Sequence, residues 1–97
     1  MNLILKCEGF YENIIERRKH LGGIQYLFIF DNGYGASVVK HRGSYGFEED
    51  LWELAVIEYL DNESRRICYD TDITDDVLGY LRDDEVVEIL QRIKELI

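Results

Sequence analysis

At 97 residues the chain is the length of one domain with a single hydrophobic core, large enough to fold without a disulfide or metal staple. Eleven Lys/Arg against twenty Asp/Glu give a formal net charge of −9, and the excess is uneven: residues 1–46 sum to +2 and residues 47–97 to −11. That imbalance disfavours direct nucleic-acid binding through the second half and suits either plain solubility or a basic partner.

The apolar run around Tyr26 and Phe30 is far too short to span a membrane, and residues 1–6 lack the basic start and long apolar stretch of a signal peptide. The expectation is a cytoplasmic protein, in the host cell's cytoplasm, with no membrane partner. Cys7 and Cys68 have no Cys-x-x-Cys or Cys/His spacing, so two buried free thiols are expected.

In chain order, residues 2–7 read either as a short strand or as an added turn of the helix that follows. Residues 9–21 then place Phe10, Ile14 and Leu21 near one helical face, with acids early, bases late and Gly22-Gly23 behind. This order suits a helix dipole and a glycine C-cap and predicts a helix. Two β-rich runs flank Asn32-Gly33, the signature of a two-residue hairpin turn with both residues at positive φ. Centring the turn there pairs Phe30 with Gly35, Phe28 with Ser37 and Tyr26 with Val39.

Residues 41–50 carry glycines, a serine and an acidic run, and read as a loop too long for a tight turn. A third strand over 51–60 and a fourth over 65–70 follow, joined by a turn at 61–64, with Trp52, Leu54, Val56, Leu60, Ile67 and Tyr69 assigned to the core face. Thr74 is placed to cap a short helix through residue 81, and Asp83 a second one in which Val86, Leu90, Ile93 and Ile97 form a stripe. The predicted fold is therefore α+β over residues 1–97: a four-stranded antiparallel meander with an N-terminal helix and two C-terminal helices packed on it.

Chemistry is sparse in this sequence. Asp70, Asp72, Asp75 and Asp76 would be the best metal candidates, but an EF-hand loop from Asp70 would need glycine and glutamate where Asp75 and Leu81 stand, so capping explains the carboxylates. His41 beside Ser44 has no acid partner in a recognisable motif. The pairs Gly33/Gly35 and Gly43/Gly46 lack the Gly-Lys-Ser/Thr ending of a phosphate loop. No catalytic residue, metal or cofactor is expected. Arg42, Tyr45, Phe47, Glu48, Glu49 and Asp50 have the mixed aromatic and charged composition of a contact surface, and are the candidate interaction loop.

The strings Gly23-Ile24-Gln25-Tyr26, Asp31-Asn32-Gly33-Tyr34-Gly35-Ala36-Ser37-Val38-Val39, Gly43-Ser44-Tyr45-Gly46, Leu51-Trp52-Glu53-Leu54-Ala55-Val56 and Tyr69-Asp70-Thr71, continuing through Asp76-Val77 to Gly79-Tyr80-Leu81, resemble a group of small uncharacterised bacteriophage and prophage proteins. The resemblance spans about residues 22–97 and implies a phage or prophage origin with an accessory role; no activity or catalytic residue comes with it. The expected function is a small acidic accessory protein, not an enzyme, that binds a host or phage protein with a basic nucleic-acid-binding surface. Its sharper form is an inhibitor of a host defence or nucleic-acid-handling protein. Two alternatives stay open: a small-molecule or nucleotide-binding protein, and a self-associating virion or assembly component.

Overall fold

A computed structural model of the chain describes residues 2–60, 64–68, 71, 73 and 76–97. Among these, six strands form one antiparallel sheet: β1 (Ile14–His20), β2 (Gly23–Ile29), β3 (Tyr34–Lys40), β4 (Trp52–Tyr59), β5 (Arg65–Ile67) and β6 (Leu78–Leu81), followed by a single α-helix, α1 (Asp83–Lys94). Strands β1 to β4 lie in sequence order. The far edge of β4 is shared, β6 pairing with its first half through Trp52↔Leu81 and β5 with its second through Ile57↔Ile67.

This corrects the expected meander of four strands and three helices. Where a helix was expected over 9–21, there is one 3-10 turn at Tyr11–Asn13 and then strand β1. The stripe of Phe10, Ile14 and Leu21 is not a helical face: Phe10 is buried in the core, whereas Leu21 is exposed. Leu21 and Gly22 both take positive φ, +46° and +76°, between the paired residues His20 and Gly23. They form the two-residue primed turn that joins β1 to β2. The charges Glu16, Arg17, Arg18 and Lys19 decorate a sheet edge and were not arranged for a helix dipole; charged edges keep sheets from pairing edge to edge.

The second primed turn, expected at Asn32-Gly33, is also different. Gly33 is at φ +85° but Asn32 is not at positive φ, and the amide of Gly33 donates to Phe30 O while that of Phe30 donates to Tyr34 O. This is a three-residue loop ending in a left-handed glycine. Phe28 therefore faces Ala36, Tyr26 faces Val38 and Ile29 faces Gly35, a slip of one from the expected register that turns Ala36, Val38 and Lys40 to the core in place of Ser37 and Val39. Asn32 is diverted because its side-chain amide donates to the carbonyls of Ile93 and Leu96, both at 2.9 Å, while its Oδ1 accepts the Tyr34 amide. The hairpin loop caps the C-terminal end of α1, whose last carbonyls lack partners within the helix.

A one-residue slip recurs between β4 and β5. Ile67 pairs with Ile57 and is exposed, and Cys68, whose amide donates to Val56 O, fills the core position expected of it; Leu60 is exposed as well. Tyr69 lies outside the described residues, as do the turn residues 61–63. The helix expected over 74–81 ends in β6 instead, where Tyr80 sits at φ +58°, a conformation no helix interior contains. Thr74 and Asp75 fall outside the described residues.

The core lies on one face of the sheet. Tyr26, Phe28, Val38, Trp52, Leu54 and Val56 meet Val86, Leu90 and Ile93 of α1, with Leu5, Cys7 and Phe10 packed beside them. Both cysteines are free and buried, and burial, helped by Asp83, pushes the Cys7 thiol up to about 11. Helix α1 begins after Arg82, not Asp83: the Glu85 carboxylate accepts the Arg82 amide at 3.0 Å, half of a capping box. Ile97, expected in the stripe, lies beyond the helix and is exposed. Residues 2–7, open between strand and helix on sequence grounds, form neither. On the opposite face the Tyr59 ring lies over Gly35, where a Cβ would collide with it, and its hydroxyl donates to Phe28 O at 3.1 Å; burial raises its phenol above the ordinary range.

Two substitutions test these turns. Asn32→Ala should lower unfolding stability by about 1–2 kcal/mol because half-buried carbonyls lose their donor. Leu21→Asn should raise it by roughly 0.5 kcal/mol, since asparagine tolerates the left-handed region better than leucine. Urea midpoints read both, and an unchanged midpoint for Asn32→Ala would mean that the helix end is held by other contacts.

Candidate functional site

The loop between β3 and β4 is built on left-handed residues, Gly43 at φ +95°, Gly46 at +98° and Asp50 at +61°. Ser44 fixes its first turn: its Oγ donates to His41 O at 2.8 Å and accepts the His41 amide at 3.0 Å. The serine thus engages the histidine's backbone, not its ring, whose Nδ1 faces Arg42 O at 2.8 Å; no nucleophile-base dyad forms. The ring of His41 instead meets that of His20 edge to face at 4.9 Å. A single 3-10 turn, Phe47–Glu49, closes the loop, and the Leu51 amide returns to Gly46 O at 3.0 Å.

Strand β6 crosses this loop at two bare positions. A Cβ on Gly46 would stand 3.0 Å from Tyr80 Cα, and one on Gly79 would collide with Tyr45 Cβ. Close backbone approach is what these two glycines provide. The Tyr80 amide donates to Tyr45 O at 3.3 Å, and the Tyr45 amide is taken by Glu53 Oε1 at 3.0 Å. The crossing turns both tyrosines outward: Tyr45 is 58% and Tyr80 56% exposed. Between them opens a cleft of about 560 Å³ lined by residues 42–49 and Tyr80, within the size range of ligand pockets.

Five of the six expected interaction residues, Arg42, Tyr45, Phe47, Glu48 and Glu49, therefore line one cleft. Asp50 does not join them. It accepts a 2.9 Å bond from Lys40 Nζ and a 3.0 Å bond from the Asn2 amide, and the Lys40 bond holds its carboxyl below the ordinary range. Lys40 is 2% exposed; it also donates to Asn2 O at 2.7 Å and lies over the Trp52 ring, 4.2 Å from its centroid. The Glu48 and Glu49 side chains make no hydrogen bond or ion pair among the described residues. Arg42 donates its amide to Leu21 O at 3.1 Å, and its guanidinium lies along Gly22.

Tyr80 was missed because residues 74–81 read as helical; the available signal was Gly79, a poor helix residue. Of the acidic group 70–76, only Asp76 is described, and its carboxylate accepts the Val77 amide at 2.7 Å. Among the described residues, no three His, Cys, Asp or Glu side chains are placed to hold a metal, and no helix is long and apolar enough to cross a membrane. The chain matches no protein-family model, curated protein or solved structure.

The Lys40–Asp50 contact makes an ordered prediction. Asp50→Ala strands a buried ammonium and should cost about 2–3 kcal/mol, whereas Lys40→Met leaves a half-exposed carboxylate that water can solvate and should cost less. Denaturation at neutral pH ranks the pair, and the reverse order would contradict the assignment. Since the folded carboxyl lies below its unfolded value, its stabilisation is complete above about pH 4 and fades as pH drops through the folded value. Acid titration of Lys40→Met should lack that loss.

Proposed function

We propose that this chain acts by binding, not catalysis, and that the cleft between the 42–49 loop and Tyr80 is its contact surface for a partner protein with a basic surface. The observation that carries this reading is Tyr80. A non-glycine residue in the left-handed region costs on the order of 1 kcal/mol, and Tyr80 accepts that cost while directing a large aromatic ring into solvent beside a second exposed tyrosine. Exposed tyrosines are the residues that anchor interfaces.

The acids narrow the mode of binding. Asp83 accepts Trp52 Nε1 at 2.7 Å and the Lys6 amide at 3.1 Å; Asp84 pairs with Arg82 and Glu58 with Arg66; Asp50 and Glu53 are held as described. Much of the acidic half is committed to the fold, which favours an aromatic anchor with Glu48 and Glu49 as rim over wholesale imitation of nucleic-acid phosphates. Those two glutamates beside Arg42 also disfavour a nucleotide or other phosphate ligand in the cleft. With the resemblance to phage and prophage proteins, the partner is proposed to be a host protein, including a defence or nucleic-acid-handling one that this chain would block.

The test is Tyr80→Gly. It should stabilise the fold by about 0.5–1 kcal/mol, by relieving the left-handed strain, while releasing a partner that the unaltered chain captures from bacterial lysate. Glu48→Gln with Glu49→Gln should weaken association mainly at low salt, because rim charges act within a Debye length of about 10 Å. Identical capture by Tyr80→Gly and the unaltered chain would overturn the assignment.

A further inference from the structure

We infer that the cleft accepts an extended, proline-containing segment bearing an arginine or lysine; this rests on the docking surface proposed above and names the class of partner it takes.

The backbone around the cleft rules on the alternatives. Adding a partner strand along β6 would need a continuous extended edge with unspent amides. Tyr80 at φ +58° breaks that edge, and its amide is already given to Tyr45 O. Recognition here must therefore come from side chains. Base stacking of single-stranded nucleic acid uses aromatic faces too, but it needs a positive groove to follow the phosphates. Glu48 and Glu49 stand on this rim without partners among the described residues. An amphipathic helix needs a long hydrophobic groove, whereas this cleft is short, about 560 Å³, and mixed in lining.

A polyproline II segment meets each feature. Its backbone has no internal hydrogen bonds, so its carbonyls are open to donors, and its pyrrolidine rings pack on aromatic surfaces. Tyr45 and Tyr80 offer both an exposed ring and a hydroxyl, and the half-buried Phe47 adds apolar lining. The segment is already ordered before it binds, so a small contact area suffices. Its cationic residue faces Glu48 and Glu49, and that pairing sets the direction in which the segment lies.

The experiment uses the full chain, isotopically labelled, titrated with a short synthetic polyproline peptide ending in arginine and followed by amide and tyrosine-ring resonances. Saturable shifts confined to residues 42–49 and 78–80 are expected. Replacing the peptide's prolines with alanine, or its arginine with glutamate, should weaken binding by about tenfold or more, the factor that corresponds to 1.4 kcal/mol. Tyr80→Gly should lose the shifts while its remaining spectrum stays that of the folded chain. Equal affinity for the alanine peptide, shifts elsewhere on the molecule, or no saturable shift would overturn the inference. If proline peptides fail while Tyr80→Gly still releases the captured partner, the peptide class falls and the docking surface stands. If capture is also indifferent to Tyr80, both fall.

Discussion

A single buried ammonium ties the pieces of this molecule together. Lys40 ends β3 on the core side, where the register slip of the hairpin delivers it, and its Nζ reaches the Asn2 carbonyl, the Asp50 carboxylate and the face of Trp52 at once. Trp52 in turn donates to Asp83, which also accepts the Lys6 amide. The N-terminal segment, the end of β3, the loop, the start of β4 and the start of α1 thus share one polar junction. Buried charges survive only when paired and fully hydrogen-bonded. In meeting that demand, the lysine holds the end of the β3–β4 loop in place, and Asp50 is the loop residue used for it.

From that fixed end the loop runs back across β6, and geometry there does the rest. Gly46 and Gly79 let two backbones cross without side chains between them, so the residues next to each glycine, Tyr45 and Tyr80, must point away. The surface aromatics are consequences of a buried crossing. Local strain at Tyr80 is sustained because β6 is anchored through Leu81, which is buried and pairs with Trp52. Such strain persists only where the surrounding structure over-determines the residue that carries it.

What could be read in advance divides along physical lines. The central strands announced themselves through dense β-branched and aromatic runs, and α1 through its stripe and its charge order, because both signals are local. Composition grouped Arg42, Tyr45, Phe47, Glu48 and Glu49, five of the nine residues that line the cleft, together with Asp50, which does not. Register was not: it depends on whether Asn32 accepts a left-handed conformation, and that was decided by carbonyls of residues 93 and 96 at the other end of the chain. Strand β1 and the β6 segment imitated helices because short amphipathic patterns are ambiguous, and pairing with β2 and β4 overrode propensity. Tyr80 belonged to the surface only once that override was known.

The closure of α1 by Asn32 also has a temporal meaning. The contact joins residues 61 positions apart, and the Lys6–Asp83 bond joins residues 77 apart, so the sheet's apolar face has no lid until α1 has been made. With synthesis proceeding at about 5–20 residues per second, strands β2 to β4 emerge seconds before the helix that covers them. During that interval Tyr26, Phe28, Leu54 and Val56 lack the α1 side chains that cover them in the folded protein, while Arg17, Arg18 and Lys19 charge the edge of β1. Until that helix is in place, the positive charges of β1 make the sheet edge a poor template for a second strand.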